Sequence, residues 1–166
     1  MRFAPAAAAL SLCFAMTASI TSAGRGDAPD PRAAALIAQG QAALQAGETQ
    51  AAIDAFEAAL AVDPGYTAIF IDLADAARQS GLQGKAIRYY REALEREPGN
   101  FAAISGEGAA LAEKGAVEKA KRNLARLQSL CGETCPETVA LESTLASGPS
   151  ARLAVETAAE GTAVSN

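Results

Sequence analysis

Few residues in this chain have the chemistry that catalysis or metal binding requires. The sequence contains no His, which excludes a Ser-His-Asp or Cys-His catalytic arrangement. Cys131 and Cys135, with three residues between them, could form a disulfide, a redox-active pair or part of a metal site. Thioredoxin-type pairs have two intervening residues, and structural zinc sites need further Cys or His ligands. We therefore predict a structural disulfide, no bound metal and no cofactor.

The carboxylates add little support for catalysis. Asp72 and Asp75 are three residues apart, a spacing that places both on one face of a helix. They could be taken for a catalytic carboxylate pair, but Asp75 lies one turn from Arg78, and no glycine-rich phosphate loop follows a strand. We interpret these side chains as the polar part of a binding surface. The protein is therefore predicted not to be an enzyme.

Small, aromatic and proline residues repeat along the chain and predict the elements that position these side chains. A shift of 34 residues superposes Gly47 on Gly81 and Gly115. Apolar residues recur at helical spacing on both sides of each glycine, which predicts two helices per unit with a left-handed glycine between them. The residues that mark the repeat are Gly40, Ala52, Phe56, Ala59, Pro64, Ala74, Ala86, Tyr90, Ala93, Pro98, Gly108 and Ala120.

This pattern resembles the tetratricopeptide repeat (TPR) family, whose unit is a helix-turn-helix of 34 residues. The resemblance implies an all-α, right-handed helix-turn-helix solenoid of about three TPR units with a short C-terminal capping helix. The solenoid is predicted over residues 33–146, with repeats at 33–66, 67–100 and 101–132 and the capping helix at 136–146. The third repeat departs most from the pattern, because Leu124 replaces the aromatic residue and Gly106 should weaken its first helix by roughly 1 kcal/mol.

In the TPR family the first helices of successive repeats line a concave groove in which a peptide or a helix docks. By this resemblance the predicted groove residues are Ile37, Gln41, Leu44, Ile71, Asp72, Asp75, Arg78 and Ser105. We expect a largely apolar groove with one charged spot, where Asp75 lies near Arg78. Helical periodicity leaves open whether Ile37, Leu44 and Ile71 face this groove or pack between helices.

Some TPR proteins hold a terminal carboxylate with Lys and Asn at fixed groove positions. The corresponding positions here contain Ile37, Gln41, Asp72 and Ala102, so we do not expect that function. A largely apolar groove instead favours an amphipathic or hydrophobic segment of another protein, or a second copy of this chain.

The two ends of the chain are predicted to lie outside the solenoid. Residues 1–23 combine a basic start, an apolar run and a small-x-small end, the pattern of a cleaved secretory signal peptide. An uncleaved membrane anchor is the alternative. Residues 24–32 are expected to form a flexible lead-in, with Asp30 as the helix N-cap before Pro31, and residues 147–166 a disordered tail. We therefore expect an exported protein, periplasmic or secreted.

The charge of the exported form limits the class of its partners. Loss of Arg2 with the signal peptide leaves 13 Lys and Arg against 19 Asp and Glu, a net charge of −6. Nucleic-acid binding needs a basic stripe, so no nucleic-acid partner is expected. Lys119, Arg122 and Arg126 share one helix face, which allows at most a peripheral contact with an anionic membrane.

Together these patterns predict a non-catalytic scaffold or adaptor of the cell envelope that binds a protein segment in its groove. A thiol-redox or metal-responsive envelope protein that uses Cys131 and Cys135 is one alternative. The other is a self-assembling structural module, and hence a homo-oligomer. The identity of the partner does not follow from the sequence.

Overall fold

A computed structural model describes residues 28–148, which form seven α-helices and no strand. The helices are α1 (Pro31–Gln45), α2 (Thr49–Val62), α3 (Ala68–Gln79), α4 (Gln83–Arg96), α5 (Phe101–Glu113), α6 (Val117–Cys131) and α7 (Pro136–Ser147). This architecture confirms the predicted all-α repeat fold. Within the described part, no helix has the length and apolar character needed to cross a bilayer. The predicted signal peptide, 1–23, and the predicted tail from residue 149 onward lie outside the described residues.

The first helix begins at the N-cap that the sequence indicates. Asp30 Oδ1 accepts a hydrogen bond from the backbone N–H of Arg32 at 2.8 Å. Pro31 is the first helical residue, a position where its missing N–H would have no intrahelical partner anyway. The helix therefore starts at Pro31, so that the last two residues of the predicted lead-in, 24–32, are helical. Capping by Asp30 orders this part of the chain.

Glycine ends the first helix of each repeat. Gly47, Gly81 and Gly115 have φ angles of 80°, 76° and 83°, in the left-handed region that a residue with a Cβ rarely adopts. Each of them lets the chain turn directly into the second helix of its repeat. The three turns match the predicted spacing.

Neighbouring helices pack on one another in chain order. Within the repeats α1 packs on α2, α3 on α4 and α5 on α6, while α2 with α3 and α4 with α5 join one repeat to the next. The first helices also touch each other, α1 with α3 and α3 with α5, so they form one continuous surface. At the C-terminal end α7 packs on both α5 and α6.

Two aromatic side chains fill space that glycines leave open at the helix contacts. Phe56 is fully buried, and a Cβ at Gly40 would lie 2.5 Å from its Cε1. Tyr90 is also fully buried, and a Cβ at Gly106 would lie 2.3 Å from its Cε1. Gly106 therefore permits the close contact between the second and third repeats. The sequence predicted only that this glycine would weaken α5, and not that it has a packing role.

The capping helix α7 covers the end of the third repeat. Leu141 is fully buried beside Ile104 and Leu127, and a Cβ at Gly108 would lie 2.6 Å from Leu141 Cδ2. Leu124, which stands where the first two repeats have an aromatic residue, is half-buried against the same cluster. The helix spans Pro136–Ser147, one residue longer than the predicted 136–146.

Candidate functional site

The surface formed by α1 and α3 contains a depression of about 270 Å³, which we call the N-terminal depression. Its lining residues are Pro29, Ala34, Ile37, Ala38, Gln41, Tyr66, Ala68, Ile71 and Asp72. All of them except Gln41 and Asp72 are apolar or aromatic. A side chain that entered this depression would therefore meet mainly apolar groups and a single carboxylate.

The carboxylate of Asp72 lies in the N-terminal depression without a cation beside it. Gln41 Nε2 donates to Asp72 Oδ1 over a long 3.5 Å, and no Lys or Arg of residues 28–148 forms an ion pair with Asp72. Burial raises the pKa of Asp72 from 3.8 to about 6; the Gln41 hydrogen bond opposes this increase and the charge of Asp75 adds to it. The ionised carboxylate is thus partly desolvated and only weakly compensated.

A second depression, of about 300 Å³, lies between α3, α5 and α7, and we call it the C-terminal depression. Its lining residues are Asp75, Arg78, Ala102, Ser105, Gly106, Ala109, Pro136, Glu137, Ala140 and Thr144. Ser105 Oγ donates to the backbone carbonyl of Glu137 at 2.9 Å, which links α5 to α7. The capping helix therefore forms one wall of this depression, in addition to covering the last repeat.

Asp75 and Arg78 each form a hydrogen bond with a residue of another helix. Arg78 Nη1 donates to Glu113 Oε1 at 2.8 Å, and Gln83 Nε2 donates to Glu113 Oε2 at 3.2 Å. Asp75 Oδ1 accepts a hydrogen bond from the Tyr90 hydroxyl at 2.5 Å. Burial and the negative charge of Asp75 raise the pKa of Tyr90, so its hydroxyl remains a donor. Asp75 and Arg78 both line the C-terminal depression, and each also has a partner on another helix.

The predicted groove residues do not all face one site. The N-terminal depression includes Ile37, Gln41, Ile71 and Asp72, and the C-terminal depression includes Asp75, Arg78 and Ser105. Leu44 lines neither depression and packs, half-buried, against the core of the first repeat. Ile37 is only 8% exposed, so most of its side chain belongs to that core as well.

Several lining residues were absent from the predicted groove, and Tyr66 and Glu137 are the two with the largest polar or aromatic side chains. Tyr66 follows the Asp-Pro-Gly turn after α2 and lines the N-terminal depression. An aromatic residue at the boundary between two repeats was a local signal that could have identified it. Glu137 gave no such signal, because its place in the C-terminal depression depends on how α7 packs against α5.

Cys131 and Cys135 meet at the turn between α6 and α7. Their sulfur atoms lie at bonding distance and their Cα atoms are 5.7 Å apart. Thr138, fully buried next to them, donates from Oγ1 to the carbonyl of Gly132 at 2.9 Å. Together with Glu137 the two cysteines form the one group of at least three potential metal ligands in residues 28–148. Cysteine binds metals as the thiolate, so this group could bind a metal only with both sulfurs reduced.

Three solved structures have folds similar to that of this chain. The Sgt2 TPR domain from Aspergillus fumigatus matches with a TM-score of 0.64 at 26% identity, over 81% of this chain and 86% of that one. The first TPR of Spaghetti (RPAP3), bound to the HSP90 peptide SRMEEVD, matches with a TM-score of 0.63 at 22% identity, over 74% and 98%. The Yersinia enterocolitica chaperone SycD, in complex with a peptide of the translocator YopD, matches with a TM-score of 0.63 at 19% identity, over 74% and 95%.

Comparison of the sequence with protein families gives a direct assignment. A search of curated protein sequences found no match. The family model described as Tetratricopeptide repeat matches residues 23–67, 37–101 and 71–121, which together extend over more than half of the 166 residues. The matches overlap one another and extend from residue 23 to residue 121. The chain therefore belongs to the tetratricopeptide repeat family.

Proposed function

We propose that this chain is a non-catalytic scaffold or adaptor of the cell envelope, which binds a segment of a partner protein on the surface formed by its first helices and α7. The observation that supports this most directly is the pair of depressions, about 270 and 300 Å³, that adjoin α3. Asp72 lines one of them and Asp75, three residues further on the same helix, lines the other. One extended segment can therefore reach both.

Two of the similar structures support a peptide as the ligand. The RPAP3 domain is bound to a peptide of HSP90, and SycD is in complex with a peptide of YopD. The HSP90 peptide, SRMEEVD, is rich in carboxylates, whereas the N-terminal depression here contains a weakly compensated carboxylate of its own, Asp72. Like charges at close range repel each other. We therefore propose the same kind of interaction with a partner segment of different charge.

Export and a disulfide are part of the proposal. The signal-peptide pattern of residues 1–23 supports export, and the positions of Cys131 and Cys135 suit a disulfide in an oxidising compartment. Because this disulfide would close a very short loop, its stabilisation should be small, roughly 1–2 kcal/mol. Its role would be to fix the α6–α7 turn, and with it the wall that α7 adds to the C-terminal depression.

Site-specific photo-crosslinking in cells tests the proposed binding surface. A photoreactive amino acid replaces Gln41 or Ala102, both exposed at the two depressions, and in a control replaces Asp54, exposed on α2 outside them. We expect the first two variants to capture the same protein, identified by mass spectrometry, and the third not to. The purified partner should then bind the mature chain, and the Gln41→Ala, Ala102→Arg double variant should bind it at least tenfold more weakly. Equal capture from all three positions would exclude the groove as the binding surface.

The crosslinking and binding assays also distinguish the adaptor from the two alternative functions, the thiol-redox or metal-responsive protein and the self-assembling module. Replacing both Cys131 and Cys135 by Ser should preserve partner binding if the protein is an adaptor, with only a modest loss of thermal stability. Loss of function with an intact fold would favour the thiol-redox or metal-responsive role. Crosslinks only between copies of this chain, together with concentration-dependent light scattering, would favour the self-assembling module.

A further inference from the structure

The surface that receives the partner has an unequal distribution of charge. Among the residues that line the two depressions, Asp72, Asp75 and Glu137 are acidic, and Arg78 is the only cation. Arg78 forms an ion pair with Glu113 at 2.8 Å, so a carboxylate of the partner would have to share it with Glu113. The lining of the two depressions therefore contains three carboxylates and one cation that is already ion-paired.

We infer that this surface selects a partner segment with an aliphatic side chain followed, at alternate positions, by two lysine or arginine side chains. The inference rests on the proposed function and specifies the chemistry of its ligand. The aliphatic side chain would enter the apolar part of the N-terminal depression, beside Ile71 and Tyr66. The two cations would contact the carboxylates of Asp72 and Asp75.

Asp72 supplies the main argument for a cation. Within residues 28–148 its carboxylate accepts only the long contact from Gln41, and the rest of the N-terminal depression is apolar or aromatic. A carboxylate in such surroundings is costly to ionise unless a cation compensates it. A lysine or arginine of the partner would provide that compensation and a charge-assisted hydrogen bond, whereas an acidic or purely apolar segment would leave Asp72 uncompensated.

The spacing of the carboxylates fits an extended segment. Residues three apart on a helix have Cβ atoms roughly 5–6 Å apart. Alternate residues of an extended chain lie on the same face about 6.6–6.8 Å apart. Two cations at alternate positions can therefore reach Asp72 and Asp75 together, and the side chain two positions before them points to the same face. This gives the order aliphatic, cation, cation.

The charge state of Asp72 makes the interaction depend on pH. The groups that face Asp72 are Gln41 from α1, Tyr66 from the turn before α3, and Asp75 from α3 itself; Arg78, the next charged group on α3, is paired with Glu113. The pKa of Asp72, raised by burial to about 6, means that its carboxylate is largely ionised at pH 7.5 and largely protonated at pH 5.5. A cation should therefore bind more tightly at the higher pH.

A designed peptide tests the inference without knowledge of the natural partner. The probe is the capped peptide Gly-Ser-Leu-Ser-Lys-Ser-Lys-Ser-Gly, titrated into the mature chain at low salt and followed by amide chemical shifts. The comparison peptides replace both Lys by Glu, or Leu by Ser. We expect the Lys peptide to shift signals of α1 and α3, to bind at least tenfold more tightly than the Glu peptide and a few-fold more tightly than the Ser peptide.

Two variants separate a specific contact from the overall acidity of the protein. Asp72→Asn should weaken binding of the Lys peptide about fivefold at pH 7.5 and remove most of the difference between pH 7.5 and 5.5. Asp54→Asn, which changes the net charge equally at an exposed position on α2, should change neither.

Each contrary result has a distinct meaning. The inference is overturned if neither peptide binds, if the Glu peptide binds as tightly as the Lys peptide, or if the two Asn variants weaken binding equally. Capture of an acidic partner segment from Gln41 would leave the scaffold function in place and remove only the preference for cations. Failure of all groove crosslinks would instead remove the scaffold function itself.

Discussion

The two depressions adjoin the same helix, α3, but their charged groups differ in the partners that the fold supplies. In the C-terminal depression Arg78 is paired with Glu113, and Asp75 accepts a hydrogen bond from the buried Tyr90. In the N-terminal depression Asp72 has only a 3.5 Å contact with Gln41. These contacts join α3 to α4 and α5, and Asp75 stays partly exposed to solvent. Asp72 is the less compensated of the two carboxylates.

This difference arises from which helices surround each carboxylate. Asp75 faces α4 and α5, which supply Tyr90 and, near Arg78, Glu113. Asp72 faces α1, whose single charged residue, Arg32, lies at the start of the helix and pairs with Asp30. Two carboxylates on one helix thus differ in how far the fold compensates them, depending on which helices pack beside each of them.

The largest expected effect concerns the packing beneath the C-terminal depression. Gly106→Ala would place a Cβ 2.3 Å from two ring carbons of Tyr90, so either the ring or α5 must move. We expect a loss of about 2–3 kcal/mol in the free energy of unfolding, measured by urea denaturation. The matched control is Gly84→Ala in α4, where the nearest atom, Lys114 Nζ, is 3.9 Å away. That variant should be unchanged or slightly more stable.

A similar stability for the two alanine variants would contradict this account of Gly106. It would mean that Tyr90 adjusts without cost and that the contact between the second and third repeats is loosely packed. The C-terminal depression would then be less rigid than its hydrogen bonds indicate.

An intermediate effect is expected for the hydrogen bond between Tyr90 and Asp75. Tyr90→Phe keeps the buried ring and removes only the hydroxyl that donates to Asp75 Oδ1. The free energy of unfolding should fall by about 1–1.5 kcal/mol, because the carboxylate loses its donor but stays partly hydrated. Tyr89→Phe, at a half-buried position on the same helix, should have almost no effect. Equal values for the two variants would show that Asp75 is fully compensated by water.

The smallest expected effect is a gain in stability at the N-terminal depression. Because burial raises the pKa of Asp72 to about 6, the folded state binds its proton more tightly than the unfolded state, where the value is 3.8. The resulting stabilisation is fully present below pH 3.8 and is lost as the pH rises through about 6. Asp72→Asn should therefore match the wild type near pH 4 and exceed its stability by about 1 kcal/mol at pH 7.5, after allowance for solvent screening.

Urea denaturation at several pH values measures this difference, with Asp54→Asn as the control. A wild type that is more stable than Asp72→Asn at pH 7.5 would show that Asp72 already has a favourable partner within the chain. The contrast between the two depressions would then disappear.

Much of the fold could be predicted because its determinants are local. Gly47, Gly81 and Gly115 recur at the repeat spacing and each adopts the left-handed conformation that ends a helix.

The candidate site was predicted less completely. Leu44 shares the helical face of Ile37 and Gln41 but packs on the core, because periodicity gives a face of a helix and not the depth of each side chain. Glu137 could not be placed before the packing of α7 was known.

The sequence by itself determined the repeat, the number of helices in each unit and the family, since these follow from spacing along the chain. Only the tertiary structure decided which charges are paired. The partner of Arg78 lies 35 residues away, that of Asp72 lies 31 away and that of Asp75 lies 15 away, each on a different helix. The first two distances are closed by the stacking of repeats, and the third by the packing of α3 on α4 within one repeat. The physical reason is that a helix is specified by neighbours within a few residues, whereas the environment of a carboxylate is set by whatever packs beside it.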